Sequence, residues 1–371
     1  MAADEWVGIV ETTMPKFMKG ASDMTMRKRL LLAQAQKRGR VAFNASGTEL
    51  VWQLEFSQPP ITQNGDGSVL DFSNHRAFRQ VSIDWGGYVG TDTLTTKQNL
   101  MNRGTEQLVN LYQSKTNNLR KSITDTFAGE LYRDGSTAGR ENAIHGLETF
   151  MGAGTCAATD RIAVPSDTYG LGQLSTQLGA YGGSWSSALS TKPNSTIATD
   201  WPDGSGTSEY DFNAPKLINW SSSNWGTGAT TWEANAWRVV SQAITWLTTT
   251  GGDDGMPTLG AMASDLFQGY KNAQEVKTRI TVPHKESQDL GFGMTLNQDG
   301  VGLYPDFDCP VGTGYFINVN QMKIHALTPQ LFWYEGPDKD PRSNWSYLWG
   351  IGFYGNVEYK PKHFAKIKSY A

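Results

Sequence analysis

Two stretches of the chain alternate strictly between apolar and polar side chains. Trp52, Leu54 and Phe56 alternate with Gln53 and Glu55, and Val81, Ile83 and Trp85 alternate with Ser82 and Asp84. A period of two marks a strand with one buried face. The two runs read as partners, but residues 57–80 lie between them, whereas ordinary hairpin loops take roughly 2–5 residues. That link holds Pro59, Pro60, Ile61, Val69, Leu70, Phe72 and Phe78. A free two-stranded ribbon is marginal in water. Burying four such side chains would contribute roughly 6–12 kcal/mol, at about 1.5–3 each. The gain needs a surface, and the expectation is a second copy of the same chain in a head-to-tail contact that repeats until a ring or shell closes.

Elsewhere the period changes to that of a helix. From about Thr95 to Tyr132, the residues Leu108, Leu111, Tyr112, Leu119, Ile123, Phe127 and Leu131 recur at three- and four-residue spacings. This predicts one long helix with a single core-facing stripe, ended by Asp134-Gly135. SDMTMRKRLLLAQAQKRG predicts an earlier helix with Ser22 as N-cap and Gly39 as stop. Thr230 and Glu233 match a capping box ahead of the stripe Trp237, Val240, Ile244 and Leu247. Ser264 is placed to cap a helix carrying Leu266, Phe267, Tyr270 and Val276.

The last third reads as strands. Tyr315, Ile317 and Val319 alternate, followed by Met322 and Ile324, and QLFWY (330–334) and WSYLWGIGFY (345–354) predict a hairpin. In its second arm Tyr347, Trp349, Ile351 and Phe353 face one way, and Leu348, Gly350, Gly352 and Tyr354 the other. Glycines on one face predict that a backbone or helix lies close to it. Residues 157–230 break the pattern: 34 of these 74 residues are Gly, Ser, Thr or Asn and nine are charged. Tyr169, Tyr181, Trp185, Trp201, Tyr210, Phe212, Trp220 and Trp225 make simple disorder a poor description, so long ordered loops are expected there.

Composition narrows the function. The chain has 371 residues, enough for a real core and two or more subdomains, with net charge −4. Residues 1–40 run against that balance, with eight Lys/Arg against four Asp/Glu, net +4. A solvated helix face and a partner-binding arm both fit this excess. Cys156 and Cys309 form no CxxC pair and are expected to be reduced and structural. No apolar run approaches the roughly 18 residues of a membrane span, and MAADEWVGIVETTM lacks the pattern of a signal peptide. The N-x-S/T sequons at Asn44, Asn194, Asn219 and Asn344 are accordingly read as chance matches.

Motifs for chemistry are missing. The histidines His75, His145, His284, His325 and His363 are isolated, and no HExxH or phosphate-loop pattern occurs. GLGQLSTQLG has the wrong glycine spacing for a dinucleotide loop, and Gly182-Gly183-Ser184-Trp185-Ser186 lacks the final glycine of a nucleophile elbow. Asp338 and Asp340 read as an acidic turn. No catalytic residue, metal site or cofactor is expected. Carboxylate pairs together with 13 tryptophans leave a carbohydrate-active or carbohydrate-binding protein as one alternative, with Trp185, Trp201, Trp220 and Trp225 as its platforms.

The order of elements (basic arm, long two-stranded loop, long helix, inserted mixed region, late return strands) resembles the major capsid proteins of tailed bacteriophages with the Hong Kong 97 coat fold. GLETFMG (146–152) resembles the short segment after the spine helix of that family. PTLGAMASDLFQGYKNAQE (257–275) resembles the helix that follows a proline in the axial domain. DFDCPVGTGYFINVNQMKIH (306–325) and GFYGNVEYKPKHFAKI (352–367) resemble the acidic–Pro–Gly–strand segment and the closing strand. The resemblance implies an α+β fold with an arm at 1–45 and an extended loop at 46–90. It implies a peripheral domain at 91–155 and 321–355, with the spine helix on the glycine face of 345–354. An axial domain would take 156–320 and 356–371, with the Ser/Thr/Gly-rich insertion at about 157–230.

The function it implies is an icosahedral shell around double-stranded DNA. The chain would assemble with itself as hexamers and pentamers in the cytoplasm of a bacterial host and end in the virion, with no membrane partner. Scaffolding, portal and decoration proteins would be further partners. The subunit contacts fall on Pro59, Pro60, Ile61, Val69, Leu70, Phe72 and Phe78. Non-specific contacts to the genome or a neighbour fall on Arg27, Lys28, Arg29, Lys37, Arg38 and Arg40. An encapsulin-like shell housing an enzyme is the alternative on the same fold. The resemblance carries over no catalytic residue.

Overall fold

The computed structural model describes residues 29–55, 61, 63, 65, 72, 74, 78–101, 105–152, 156, 158–163, 215–275, 296–342 and 345–370. Helix α1 (Leu30–Lys37) opens the described chain and stops at Gly39, whose φ of 66° favours a residue without a Cβ. Arg29 ahead of it is extended, so the helix starts at Leu30 instead of running unbroken from Ser22. Leu30, Leu31, Leu32 and Ala35 are buried in the main core. The short β1 (Val41–Ala42) then pairs in parallel with β11 (Met322–Ala326). From Leu30 to Ala42 the predicted arm is thus built into the body of the chain.

β2 (Glu49–Glu55) and β3 (Phe78–Asp84) form the predicted ribbon, in register Glu49 to Asp84 and Trp52 to Val81. Leu50, Trp52, Leu54, Val81 and Ile83 are all buried in the main core. The base of the ribbon therefore finds its cover within the chain.

The first sheet is organised around β13 (Ser346–Tyr359). One edge pairs antiparallel with β4 (Gly86–Thr95), and the other with β12 (Trp333–Lys339) and then β11. The predicted long helix is present as α2 (Thr96–Met101) and α3 (Thr105–Glu130), beginning next to the expected start at about Thr95, where β4 ends. α3 packs on the Trp349/Ile351/Phe353 face: the rings of Tyr112 and Trp349 are 4.7 Å apart, and those of Phe127 and Phe353 4.5 Å. The glycine face was the expected seat, and that is corrected here. The glycine that admits the helix is Gly90 of β4, where an added Cβ would lie 2.9 Å from Leu119 Cδ1. Gly90 pairs with Ile351, so it belongs to the apolar face.

The second sheet has the order β5-β6-β14-β10-β7-β9-β8. Its strands are β5 (Ile162–Ala163), β6 (Lys216–Asn219), β7 (Leu259–Met262), β8 (Leu296–Gln298), β9 (Val301–Pro305), β10 (Gly314–Ile317) and β14 (Phe364–Lys368). Both faces are covered. Leu217, Ala261, Tyr315, Ile317 and Phe364 point into the main core. Ile218, Met262, Leu303, Phe316 and Ile367 point into a second core under α4 (Trp232–Thr250) and α5 (Ser264–Glu275). Continuous apolar runs suit strands buried on both sides. α4 starts one residue later than the capping box predicts: Thr231 is the N-cap and makes no side-chain cap bond. Its buried stripe runs through Trp232, Ala236, Val240, Ala243 and Leu247, and leaves Trp237 38% exposed.

The chain crosses between the two sheets at residues 318–321 and returns at 360–363. The crossings are bonded to each other, Lys360 N donating to Gln321 O (3.2 Å) and Asn318 N to His363 O (3.4 Å). A third passage follows α3. There Leu147, Phe150 and Met151 are fully buried, and a Cβ on Gly146 would lie 2.4 Å from the carbonyl oxygens of Glu130 and Arg133. The first sheet's pairing continues to Tyr359.

Candidate assembly surfaces

The ribbon base is anchored, while the apolar residues described beyond it are exposed. Ile61 is 99% and Phe72 88% exposed, and Phe78, at the end of the paired region, is more than half exposed. Pro59, Pro60, Val69 and Leu70 lie outside the described residues. Fully solvated Ile and Phe side chains mark an interaction surface when they cluster. The sequence signal was the pair of alternating runs joined by far too long a link.

A second apolar surface lies on the outward face of the first sheet. Cross-strand register sets Trp333, Gly352 and Val89 in one row, and Glu335, Gly350 and Thr91 in the next. With no side chains at Gly350 and Gly352, the floor drops and leaves a cleft of about 470 Å³, also lined by Leu348, Asp338, Lys339 and Tyr354. Val89, Trp333 and Tyr354 are substantially exposed along it. Sequence reasoning saw the glycines but assigned the face to the spine helix, so Val89 and Trp333 were missed. Phe307 and Val311, each almost wholly exposed on the loop between β9 and β10, were missed too. Nothing distinguished them from core residues in the string DFDCPVG.

The predicted cationic residues separate. Arg27 and Lys28 lie outside the described residues. Lys37 is exposed, and Arg38 and Arg40 are half-buried. Arg29 is occupied within the chain: its Nη1 donates to both oxygens of Asp308 (2.9 and 3.0 Å), and its Nε to Asp125 Oδ1 (3.0 Å). As placed here, that guanidinium is a structural bridge and not a free genome contact.

Chemistry-bearing side chains are used for structure. Lys366 Nζ, almost wholly buried, donates to Glu148 Oε2 at 2.6 Å, and Tyr315 Oη donates to the same carboxylate. Burial pulls the Lys366 ammonium below its ordinary value, and Glu148 opposes that shift. His363 is pushed down to about 4 by burial first and then by Lys362 and Lys360. Cys156 and Cys309 are both reduced, neither forming a disulfide. Burial raises each, Cys156 to about 11 and Cys309 higher, which makes both poor nucleophiles. Asp340 accepts from Arg342 N (2.8 Å) and Ser346 Oγ (3.2 Å), as an acidic turn should. Among the described residues no group of His, Cys, Asp and Glu could hold a metal ion, and no helix is long and apolar enough to cross a membrane.

The tryptophan platforms of the carbohydrate alternative do not hold where they are described. Trp225 is buried, donating from Nε1 to Asn219 O (2.9 Å), and Trp220 stacks edge-on to Trp232 at 6.0 Å. Trp185 and Trp201 lie outside the described residues.

No protein-family model matches the sequence, and no curated protein does. Among solved structures, a chain of the capsid asymmetric unit of cyanophage A-1(L) aligns with a TM-score of 0.53 at 10% identity, covering 89% of this chain and 90% of that one. A chain of the capsid of an empty GTA particle aligns with a TM-score of 0.52 at 9% identity, covering 90% and 96%. Identity this low speaks to architecture and not to individual residues. Over about nine-tenths of its length, this chain has the Hong Kong 97-like coat fold of tailed-phage capsids.

Proposed function

We propose that this chain is a major capsid protein that assembles with itself into the icosahedral shell of a tailed phage, around double-stranded DNA. The observation that carries the reading is the likeness in fold to capsid chains over nearly the whole length of both partners. The solvated apolar end of the ribbon supports it, because Ile61, Phe72 and Phe78 need a surface that the described part of the subunit does not supply. In this reading residues 46–90 are the extended loop that lies over a neighbour. The first sheet with α3 forms the peripheral domain, and the second sheet with α4 and α5 the axial domain at the centre of hexamers and pentamers. The role is structural and not enzymatic.

Assembly takes place in the bacterial cytoplasm with scaffolding and portal proteins, and the finished shell is part of the virion. The net charge of −4 suits a wall that does not grip packaged DNA everywhere. Contacts with DNA are then non-specific, made by Lys37, Arg38, Arg40 and the cations ahead of Leu30, and weaken steeply with salt.

The test is electron microscopy and light scattering on the chain expressed in bacteria, alone and with the other proteins of its gene cluster. Uniform hollow particles tens of nanometres across are expected, and nucleic acid inside particles made with the full set. A protein cargo in place of nucleic acid would favour an encapsulin-like shell. A monodisperse monomer under both conditions would overturn the shell itself.

A further inference from the structure

One turn brings Arg161 and Arg238 together. Arg161 stands just ahead of β5, where its backbone carbonyl accepts from Asn219 N (2.8 Å). Its guanidinium donates from Nε to Asn224 O (2.8 Å), with Nη2 on the same oxygen, and its Cζ lies 5.1 Å from the centroid of the Trp225 ring. Arg238 comes from the first half of α4 and donates from Nη1 to the next carbonyl, Trp225 O. The turn is braced for both. Ser222 Oγ caps it, accepting from Asn224 N (3.2 Å), and Trp225 is fixed by its own bond to Asn219 O. Gly226 has a φ of 73°, and a Cβ there would lie 2.6 Å from Arg238 Nη1, so the glycine admits the guanidinium.

Two guanidiniums on consecutive carbonyls repel, and carbonyl dipoles answer only part of each charge. Among the described residues neither arginine has a carboxylate within ion-pair distance. The other charged residue of α4, Glu233, is engaged with α5, accepting from Asn272 Nδ2 (3.4 Å). Arg161 is half-buried and Arg238 exposed, so the pair is open to solvent on one side. Burial first, and Arg238 second, pull Arg161 below its ordinary value, a load that a bound anion would relieve.

We propose that Arg161 and Arg238 form a two-point receptor for a side-chain carboxylate of a second copy of this chain. The proposal rests on the shell reading, and the contact it adds is separate from the ribbon end. Planar guanidiniums match a carboxylate, and cations already held on a turn lose little freedom on binding. Charge complementarity favours another copy: the chain has 36 Asp/Glu against 32 Lys/Arg. Glu335 and Asp338, for instance, are exposed on β12 with no ion pair among the described residues. The surroundings favour one carboxylate over a chain of phosphates. Asp160 adjoins Arg161, and Asp299 accepts from Ser241 Oγ (3.1 Å), one turn along α4 from Arg238. A polyanion laid over the pair would meet these negative charges, whereas a single carboxylate entering between the guanidiniums would not. Trp237, exposed beside Arg238, supplies an aromatic rim, and Trp with Arg is the composition of binding hot spots.

The test uses closed particles grown from equal parts of unlabelled and heavy-isotope chain carrying Arg238→Lys, treated with a zero-length carbodiimide and read by mass spectrometry. A cation is kept at position 238, so a mixed-isotope cross-link from that position to an aspartate or glutamate is expected, and it should be absent from unassembled subunits. In a second arm, Arg161→Gln combined with Arg238→Gln should leave the subunit cooperatively folded, because no ion pair within the chain is lost. The yield of closed particles should fall at least about tenfold, the scale of one charge-assisted hydrogen bond. If the glutamine pair does not fold, the cross-link alone decides. Closed particles in which position 238 links only within its own chain, or parental yield from the glutamine pair, would overturn this contact and leave the shell standing. So would a glutamine pair that forms hollow particles normally and loses only nucleic acid, an outcome that assigns the site to phosphate. No particles from the parent chain under any condition would remove the shell and this contact together.

Discussion

His363 shows how a single side chain sets a condition on the whole fold. It lies in the returning crossing between the sheets, and its Nδ1 is buried without a hydrogen-bond partner. Desolvation, then Lys362 and Lys360, drop it from the ordinary 6.5 to about 4. An unfolded chain takes its proton near 6.5, whereas the folded chain resists until about 4. The stability this difference represents is complete above pH 6.5 and is lost as pH falls toward 4. At about 1.4 kcal/mol per tenfold, the loss reaches up to about 3 kcal/mol. His363→Gln should therefore flatten the fall in denaturation midpoint between pH 6.5 and 4, relative to the parent. Parallel pH profiles for the two chains would show that another group controls the transition. Little of this was legible in the sequence, where His363 is one of five isolated histidines. The lysines beside it were visible at 360 and 362, but not the burial that gives them effect. Arg29 is a similar case, because a basic run does not reveal which member will find two aspartates 96 and 279 residues away.

Periodicity did well for elements whose burial is local, and less well where the partner lies far along the chain. The ribbon strands, α3 and α5 were each readable because apolar residues repeat at the period of the element. Helix α1 is different: its buried face is nearly the whole stretch Leu30–Ala35, so periodicity could not separate it from the polar residues before it. The seat of α3 was misread for a related reason. Glycine marks a close approach only when its face is known, and Gly90 on β4 does for α3 what Gly350 and Gly352 were expected to do. The face left free became the cleft floored by Gly350 and Gly352. The ribbon has a base fastened by Trp52, Val81 and Ile83, while Ile61, Phe72 and Phe78 are left exposed. Replacing residues 58–77 with a short Asn-Gly turn should thus leave the paired base and the cores intact. The variant should unfold cooperatively within about 1 kcal/mol of the parent, since Ile61 and Phe72 within the replaced stretch are solvated in the subunit, yet form no closed particles. Normal particles by electron microscopy would mean that the end of the ribbon is not an assembly device.

At the scale of the molecule, the proposed shell makes the ribbon end a donor and a surface elsewhere on the same chain its receiver, which would be a head-to-tail contact. Such contacts propagate until geometry closes them. On that reading a subunit without the ribbon end would keep its receiving surface and lose only its donor. It can join a growing shell once, on one side, and then offers nothing to the next copy. Mixed assembly from intact and shortened chains should therefore fail more steeply than dilution. If each hexamer or pentamer needs every donor, the fraction of complete rings falls as a high power of the intact fraction, so an equal mixture should give far fewer than half the closed particles. Partial arcs and open sheets should accumulate, and the shortened chain should be found in them. Co-expression at graded ratios, with particle counts by microscopy and subunit content by mass spectrometry, measures this directly. A yield that falls only in proportion, with shortened chains excluded from the particles, would place the receiving surface on the ribbon end itself and make the contact mutual between two ends. That outcome would keep the ribbon as an assembly element but replace the head-to-tail geometry with a self-complementary one.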